Sequence, residues 1–334
     1  MEGIKTDWYF IVNPRAGSGK TMCEWVPAER KFSTLGIPFT TAYTDHRKHA
    51  VTLAHEACSN GFRNILAVGG DGSLHETYNG IMSWCRDTGT DPSGFNIAVV
   101  PIGSGNDWIK SLNVPHDTGK VVNMIAGKSF GFMDVVEIVC NREDGEGRVI
   151  CNMANVGGLG FDSHVCQRVN AQKERGFRSK MIYLNALCHT ITHLKPVSLK
   201  VMADGREVYS GSCYSIALGN GRYSGSGMRQ VPLAEIDDGL LDVAIVPRIP
   251  LFSVFRQIPL LFTGKLNESS SVISLKCRQL DIVPLDHESN DIIEIDGEIE
   301  GRLPATIRVT GERIGVIKGT TGLDEEPSEG PARP

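Results

Sequence analysis

The reactive polar residues of this chain gather in glycine-rich loops that directly follow apolar runs. Gly69-Gly70-Asp71-Gly72-Ser73 comes straight after Asn64-Ile65-Leu66-Ala67-Val68 and is the strongest local signal. Glycines there permit a tight turn and let a ligand approach the backbone, and amides opening the next helix favour an anion such as phosphate. A carboxylate in such a loop would repel phosphate unless a divalent cation lay between them, so Asp71 points to Mg²⁺. Glu76, five residues on, could help position a ribose or a metal-bound water. Pro101-Ile102-Gly103-Ser104-Gly105-Asn106-Asp107 repeats the logic one strand later. Ser104 offers a hydroxyl to a phosphate oxygen, Asn106 and Asp107 add a second polar pair, and Trp108 reads as packing rather than base stacking.

A third loop, Asn13-Pro14-Arg15-Ala16-Gly17-Ser18-Gly19-Lys20-Thr21, ends like a P-loop. A Walker A sequence needs glycine where Pro14 stands, and proline supplies neither the left-handed geometry nor the amide that cradles phosphate. Two readings stay open: a phosphate-binding loop of another kind, with Gly17 and Gly19 admitting a nucleotide, or a plain strand-to-helix turn. In the second half, Asp237-Asp238-Gly239-Leu240-Leu241-Asp242 and Asp296-Gly297-Glu298 are acidic turns of the hairpin kind. Glu298 could also serve as base for a hydroxyl substrate if the fold brings it within hydrogen-bond reach.

Positioning these loops requires a layered scaffold, and the pattern supplies one. Over the first 130 residues apolar strands alternate with helical stretches, which predicts an α/β domain with a parallel sheet covered on both faces. Ligands collect beyond the carboxyl ends of such strands, so three glycine loops on one edge converge on one nucleotide. Beyond residue 130 short strands recur at 132–139, 148–156, 196–203, 206–218, 240–246, 272–276, 279–283, 292–295 and 306–310, separated by Asp-Gly turns. That predicts a mostly β domain, an antiparallel sandwich or barrel, over residues 131–310. A helical interruption at 163–193 carries Arg168, Lys173, Arg175, Arg178 and Lys180, and the Gly/Pro-rich tail, 319–334, reads as disordered.

Composition narrows the class. The 334 residues are 41% hydrophobic and 22% charged, as in globular proteins, and a net charge of −5 argues against a global grip on nucleic acid. No stretch approaches the roughly 18 apolar residues of a membrane span. The nine cysteines (Cys23, Cys58, Cys85, Cys140, Cys151, Cys166, Cys188, Cys213, Cys277) show no CxxC spacing, and the first residues lack a signal-peptide pattern. The expectation is a reduced, cytoplasmic protein. Residues 249–265 are apolar with few charges; they read as a core-facing helix broken at Pro259, with membrane contact as the other reading. The basic run at 168–180 fits either anionic headgroups or a solvated face.

Taken together and in order, NPRAGSGK, GGDGSLHETYNG, PIGSGND, SGSGMRQVPLAEIDDGLLDV and EIDGE resemble the diacylglycerol kinase catalytic-domain family over residues 8 to about 310. The nearest branch is the soluble bacterial lipid kinases, with sphingosine and ceramide kinases as relatives. The resemblance implies an ATP-binding domain like that of NAD kinase, a β-rich lipid-binding domain, and a site in the cleft between them. It also implies that residues 311–318 return to pack on the first domain; the family often forms homodimers, and the sequence leaves the oligomeric state open. By motif, Thr44, the loop from Gly70 to Glu76 and Ser104 correspond to ATP-binding positions, with Asn13 beside them. Asp71 and Asp107 correspond to the acids of Mg-ATP, Glu298 to the proton acceptor, and Glu235, Asp238 and Leu240 to a separate, fold-stabilising Mg²⁺ site.

Ser73 and Ser104 stand where threonine is commoner, which keeps the hydroxyl, and Asn106-Asp107 favours a diacylglycerol-type acceptor over a sphingoid base. The expected activity is ATP- and Mg²⁺-dependent phosphorylation of diacylglycerol to phosphatidate, with peripheral membrane contact during turnover. The alternatives are a sphingoid-base kinase, an NAD kinase-like enzyme, and a nucleotide-binding regulator without catalysis.

Overall fold

The computed structural model describes residues 3–103, 105–174, 186, 189–191, 195–225, 227–286 and 291–319. The first half holds β1 (Lys5–Val12), α1 (Ala16–Gly19), α2 (Thr21–Thr34), β2 (Phe39–Tyr43), α3 (His49–Ser59), β3 (Phe62–Gly69), α4 (Asp71–Thr88), β4 (Asn96–Pro101), α5 (Asp107–Ser111) and α6 (Thr118–Ala126). The four strands are parallel in the order β2-β1-β3-β4. Because helices cover both faces, β3 reads as a continuous apolar run, and Ile65, Leu66, Ala67 and Val68 are all buried. Phe10 anchors one side of this core, its ring 4.5 Å from Phe39 and 5.3 Å from Trp25.

The second half follows with β5 (Phe130–Asn141), β6 (Arg148–Met153), β7 (Val156–Gly160), α7 (Phe161–Glu174), β8 (Val197–Ala203), β9 (Arg206–Gly219), β10 (Leu241–Pro247), α8 (Leu251–Thr263), β11 (Ile273–Cys277), β12 (Gln279–Pro284), β13 (Ile292–Ile295) and β14 (Glu298–Ile317). Their pairings with one another are antiparallel, and an apolar cluster that includes Val136, Leu199, Ile216, Ile282 and Ile307 fills the space between the sheet faces. The expectation of a parallel α/β domain followed by an antiparallel β domain is met.

Three expectations change. The strand expected at 306–310 is the middle of a 20-residue β14, which pairs with β13, β12 and β5 and ends parallel to β4, Gly315 opposite Asn96. The run at 148–156 splits into β6 and β7, because the amides of Ala154 and Asn155 turn aside to donate to the Asp296 carboxylate. Residues 251–263 form one helix through Pro259, with no break. Leu260 and Leu261 pack on one apolar cluster and Ile258 on another, and the Thr263 hydroxyl donates to the Pro259 carbonyl. That packing offsets the one intrahelical bond proline forfeits. The tail at 320–334, Ser104, Arg175, Arg178 and Lys180 lie outside the described residues, as does the side chain of Lys173.

Helices α3 and α4, which flank the central glycine loop, cross at Gly80. A Cβ there would stand 2.4 Å from the Val51 carbonyl oxygen and 2.7 Å from the Ala54 Cβ. Only glycine allows this approach, and the neighbour it would strike is backbone. Gly80→Val is therefore expected to cost about 3 kcal/mol of unfolding free energy in denaturant titrations. Gly94→Ala, where a Cβ meets nothing within 4 Å, should change stability by less than about 0.5 kcal/mol. Equal effects would refute the crossing as the cause.

Candidate active site

The carboxyl ends of β1, β3 and β4 bring the three glycine loops into backbone contact. A Cβ on Gly103 would lie 3.0 Å from the Gly70 Cα, and the Ile102 amide donates to the Gly69 carbonyl at 2.8 Å. A Cβ on Gly17 would touch Ile102 at 2.9 Å. The Asn13 side-chain amide donates to the Ser73 hydroxyl at 3.1 Å, and the Thr44 amide donates to the Val12 carbonyl at 2.9 Å. Asn13, Thr44, Gly69, Gly70, Ser73, Gly103 and Asn106 thus share one edge of the sheet. Asn106 adopts the left-handed conformation and donates from Nδ2 to the Gly103 carbonyl at 3.0 Å. Its Oδ1 is buried without a hydrogen-bond partner, an acceptor turned toward the loop junction. Trp108 is fully buried, as a packing residue should be.

The acids form two groups. Asp71 Oδ2 and Asp107 Oδ2 approach the same glycine, lying 3.0 and 3.8 Å from the position a Cβ on Gly105 would take. Asp71 Oδ1 accepts from the Trp108 amide at 3.3 Å, while Asp107 Oδ1 pairs with Lys110 at 2.6 Å. Burial first, and then the neighbouring Asp107 charge, push the Asp71 carboxyl up to about 6. Glu298 opens β14 from the other half of the chain. One of its oxygens would lie 3.5 Å from a Cβ on Gly72, and the other pairs with the Arg47 guanidinium. The Glu76 carboxylate accepts from the Lys48 amide at 2.9 Å and the Ala50 amide at 3.3 Å, closing the start of α3.

Behind these residues lies a charged network that sequence reading did not single out. His75 is buried, with Nδ1 2.9 Å from Asp296 and Nε2 3.4 Å from Glu300. Burial alone would lower its pKa, but the hydrogen bonds to the two carboxylates reverse the effect and raise it to about 10. The imidazolium therefore joins the central glycine loop to the turn before Glu298. That turn has φ of 54° at Asp296 and 89° at Gly297, the paired left-handed residues that Asp-Gly favours. Lys48 reaches Glu300 at 3.5 Å, so Arg47 and Lys48 grip alternate residues of β14. The only sequence signals were a histidine inside GGDGSLHE and a basic pair after Thr44.

Two long matches decide the family. Residues 7–138 match the diacylglycerol kinase catalytic domain, and residues 133–318 match the YegS C-terminal NAD kinase beta sandwich-like domain. The chain belongs to the diacylglycerol kinase catalytic-domain family. A Xanthomonas oryzae relative named "Probable lipid kinase YegS-like" is 29% identical over 299 residues, 88% of this chain and 90% of that one. A Staphylococcus aureus diacylglycerol kinase is 26% identical over 318 residues, covering 95% and 93%. A crystal structure of a diacylglycerol kinase from Bacillus anthracis superposes with a TM-score of 0.65 at 18% identity, over 94% of this chain and 97% of that one. This is a lipid-kinase family, and a kinase of this family takes its phosphoryl group from ATP. Among the described residues no helix is long and apolar enough to cross a membrane.

The raised Asp71 carboxyl has a consequence for stability. An acid shifted upward on folding stabilises fully below its unfolded value of 3.8, and that contribution is lost as pH rises through about 6. At neutral pH, without a bound cation, ionised Asp71 therefore costs stability. Asp71→Asn is expected to raise the melting temperature at pH 8, by the equivalent of up to about 3 kcal/mol, and to do little at pH 4. A variant less stable than wild type at pH 8 would show that the carboxylate is held by attraction instead.

Proposed function

We propose that this chain transfers the γ-phosphoryl group of ATP to the free hydroxyl of diacylglycerol, giving phosphatidate and ADP. The carrying observation is that the Glu298 carboxylate, from the β half, lies against Gly72 of the loop that also bears Asp71. A base from one half beside an anion-binding loop of the other is the arrangement an alcohol phosphotransferase needs. The acceptor hydroxyl oxygen attacks the γ-phosphorus as its proton passes to Glu298. The new O–P bond forms, the bond to the β–γ bridging oxygen breaks, and the electron pair leaves with ADP. Arg47, paired with Glu298, orients the carboxylate toward that proton. Asp71 and Asp107 each turn an Oδ2 toward Gly105, and Lys110 engages Asp107 through the other oxygen, so this pair of oxygens suits Mg²⁺. Mg²⁺ is commonly held by one or two carboxylates plus substrate phosphates, and bound there it would neutralise phosphate charge. Asn13, Thr44, Ser73 and Asn106 are the candidates for nucleotide contact.

A diacylglycerol must be taken from a bilayer, and α8 suits that task. Phe252, Phe255 and Phe262 are 64%, 54% and 49% exposed, and the Arg256 guanidinium lies 5.6 Å from the Phe252 ring centroid. Aromatic side chains beside a cation favour an anionic leaflet. Phe252→Ser with Phe255→Ser should lower flotation with anionic liposomes several-fold while sparing turnover in detergent micelles. Unchanged flotation would assign the membrane contact elsewhere.

Labelled γ-phosphate offered with diacylglycerol, monoacylglycerol, sphinganine, ceramide and NAD in mixed micelles tests the reaction and its acceptor. Phosphatidate is the expected labelled product, with Glu298→Ala slower by about 10²–10⁴-fold at unchanged melting temperature. Labelled sphinganine phosphate or NADP would replace this acceptor by another. ATP binding without transfer to any acceptor would favour a regulator.

A further inference from the structure

The acidic loop before β10 contains the three residues to which family resemblance gives a structural Mg²⁺: Glu235, Asp238 and Leu240. Protein groups already engage its carboxylate. Asp238 Oδ1 accepts from the Leu240 amide at 3.0 Å, and Oδ2 lies 2.7 Å from the Lys276 ammonium, which β11 carries. The same ammonium stands 3.3 Å from Asp242 Oδ2 and donates to the Leu233 carbonyl at 3.3 Å. Two carboxylates and a carbonyl around one positive charge are oxygen ligands of the kind a small cation takes. A divalent ion on Asp238 would have to share that carboxylate with Lys276 at like-charge contact. The residues present do not fit the ion.

We infer that the Lys276 ammonium is the resident cation of this loop, and that the loop needs no divalent ion. The remainder of the loop is neutralised in the same way. Lys318 pairs with Asp237 at 2.6 Å, and Arg313 bridges Asp134 at 3.0 Å and the Asp237 carbonyl at 3.1 Å. Asp134 in turn accepts from the Gly239 amide at 2.6 Å. Cations from β11, β14 and the residue after β14 thus fix a loop that joins both halves of the chain. The inference is independent of the acceptor and of the catalytic assignment.

Thermal unfolding of the full chain without nucleotide, in EDTA and in millimolar MgCl₂, tests it. Asp71→Asn is used as background so that the candidate catalytic site contributes no Mg²⁺ response. The background protein should melt at the same temperature in both buffers. Adding Lys276→Met should lower the melting temperature in EDTA by about 3 °C. MgCl₂ should then restore part of the loss, because the site now lacks its tethered charge, and Asp238→Asn should abolish the restoration. Lys276→Arg should stay indifferent to Mg²⁺. A background protein stabilised by MgCl₂ through Asp238, or a Lys276→Met protein as stable in EDTA as its parent, would overturn the inference. If Lys276→Met does not fold in either buffer, the Mg²⁺ response of the background protein and its Asp238→Asn variant decides alone.

Discussion

Three basic side chains of the nucleotide half close on one acidic turn of the β half. His75 is buried between Asp296 and Glu300, Arg47 holds Glu298, and Lys48 reaches Glu300. A buried imidazolium with a carboxylate on each ring nitrogen is tolerable only while both partners stay in place, because an unpaired buried charge is costly. The network thereby fixes the approach of the two halves at the turn that carries Glu298. Asp296 carries the constraint further, since its second role is to accept the amides of Ala154 and Asn155 and so to end β6.

The long β14 makes the same connection through backbone. Its first residues pair with β13, its centre with β12 and β5, and its end lies parallel to β4 in the nucleotide half. A strand shared by two sheet regions leaves little freedom for hinge motion at that seam, so the position of Glu298 follows from strand register as well as from ion pairs. The strand turns the family's two matched segments into neighbours at one site.

Charge follows a common pattern at both junctions. At the Glu298 turn, basic residues come from the first half and acids from the second; at the loop before β10, Lys276, Arg313 and Lys318 meet Asp134, Asp237, Asp238 and Asp242. The candidate nucleotide site differs: Asp71 and Asp107 crowd one glycine, Lys110 offsets Asp107, and Asp71 is driven toward protonation. Charge is compensated where the fold is tied together, and left in excess where a cationic ligand would relieve it.

The sequence by itself determined the two-part architecture and the three nucleotide-side loops. Buried parallel strands must be continuous apolar runs, strand-end turns at close quarters must be glycine, and both requirements act within a few residues. The same locality made Asp71, Ser73, Gly103 and Asn106 readable as neighbours at one sheet edge. Tertiary structure alone decided the rest. Glu298 and Arg47 stand 251 positions apart and His75 and Asp296 stand 221 apart, so no spacing rule marks them as partners. The Glu76 oxygens accept from the amides of Lys48 and Ala50, 28 and 26 positions away, ties that its place after GGDG does not show. Asp238 looked like a metal ligand until β11 set Lys276 beside it. Local backbone demands are written residue by residue, whereas the partner of a charge is chosen by whichever distant element the fold brings within about 4 Å.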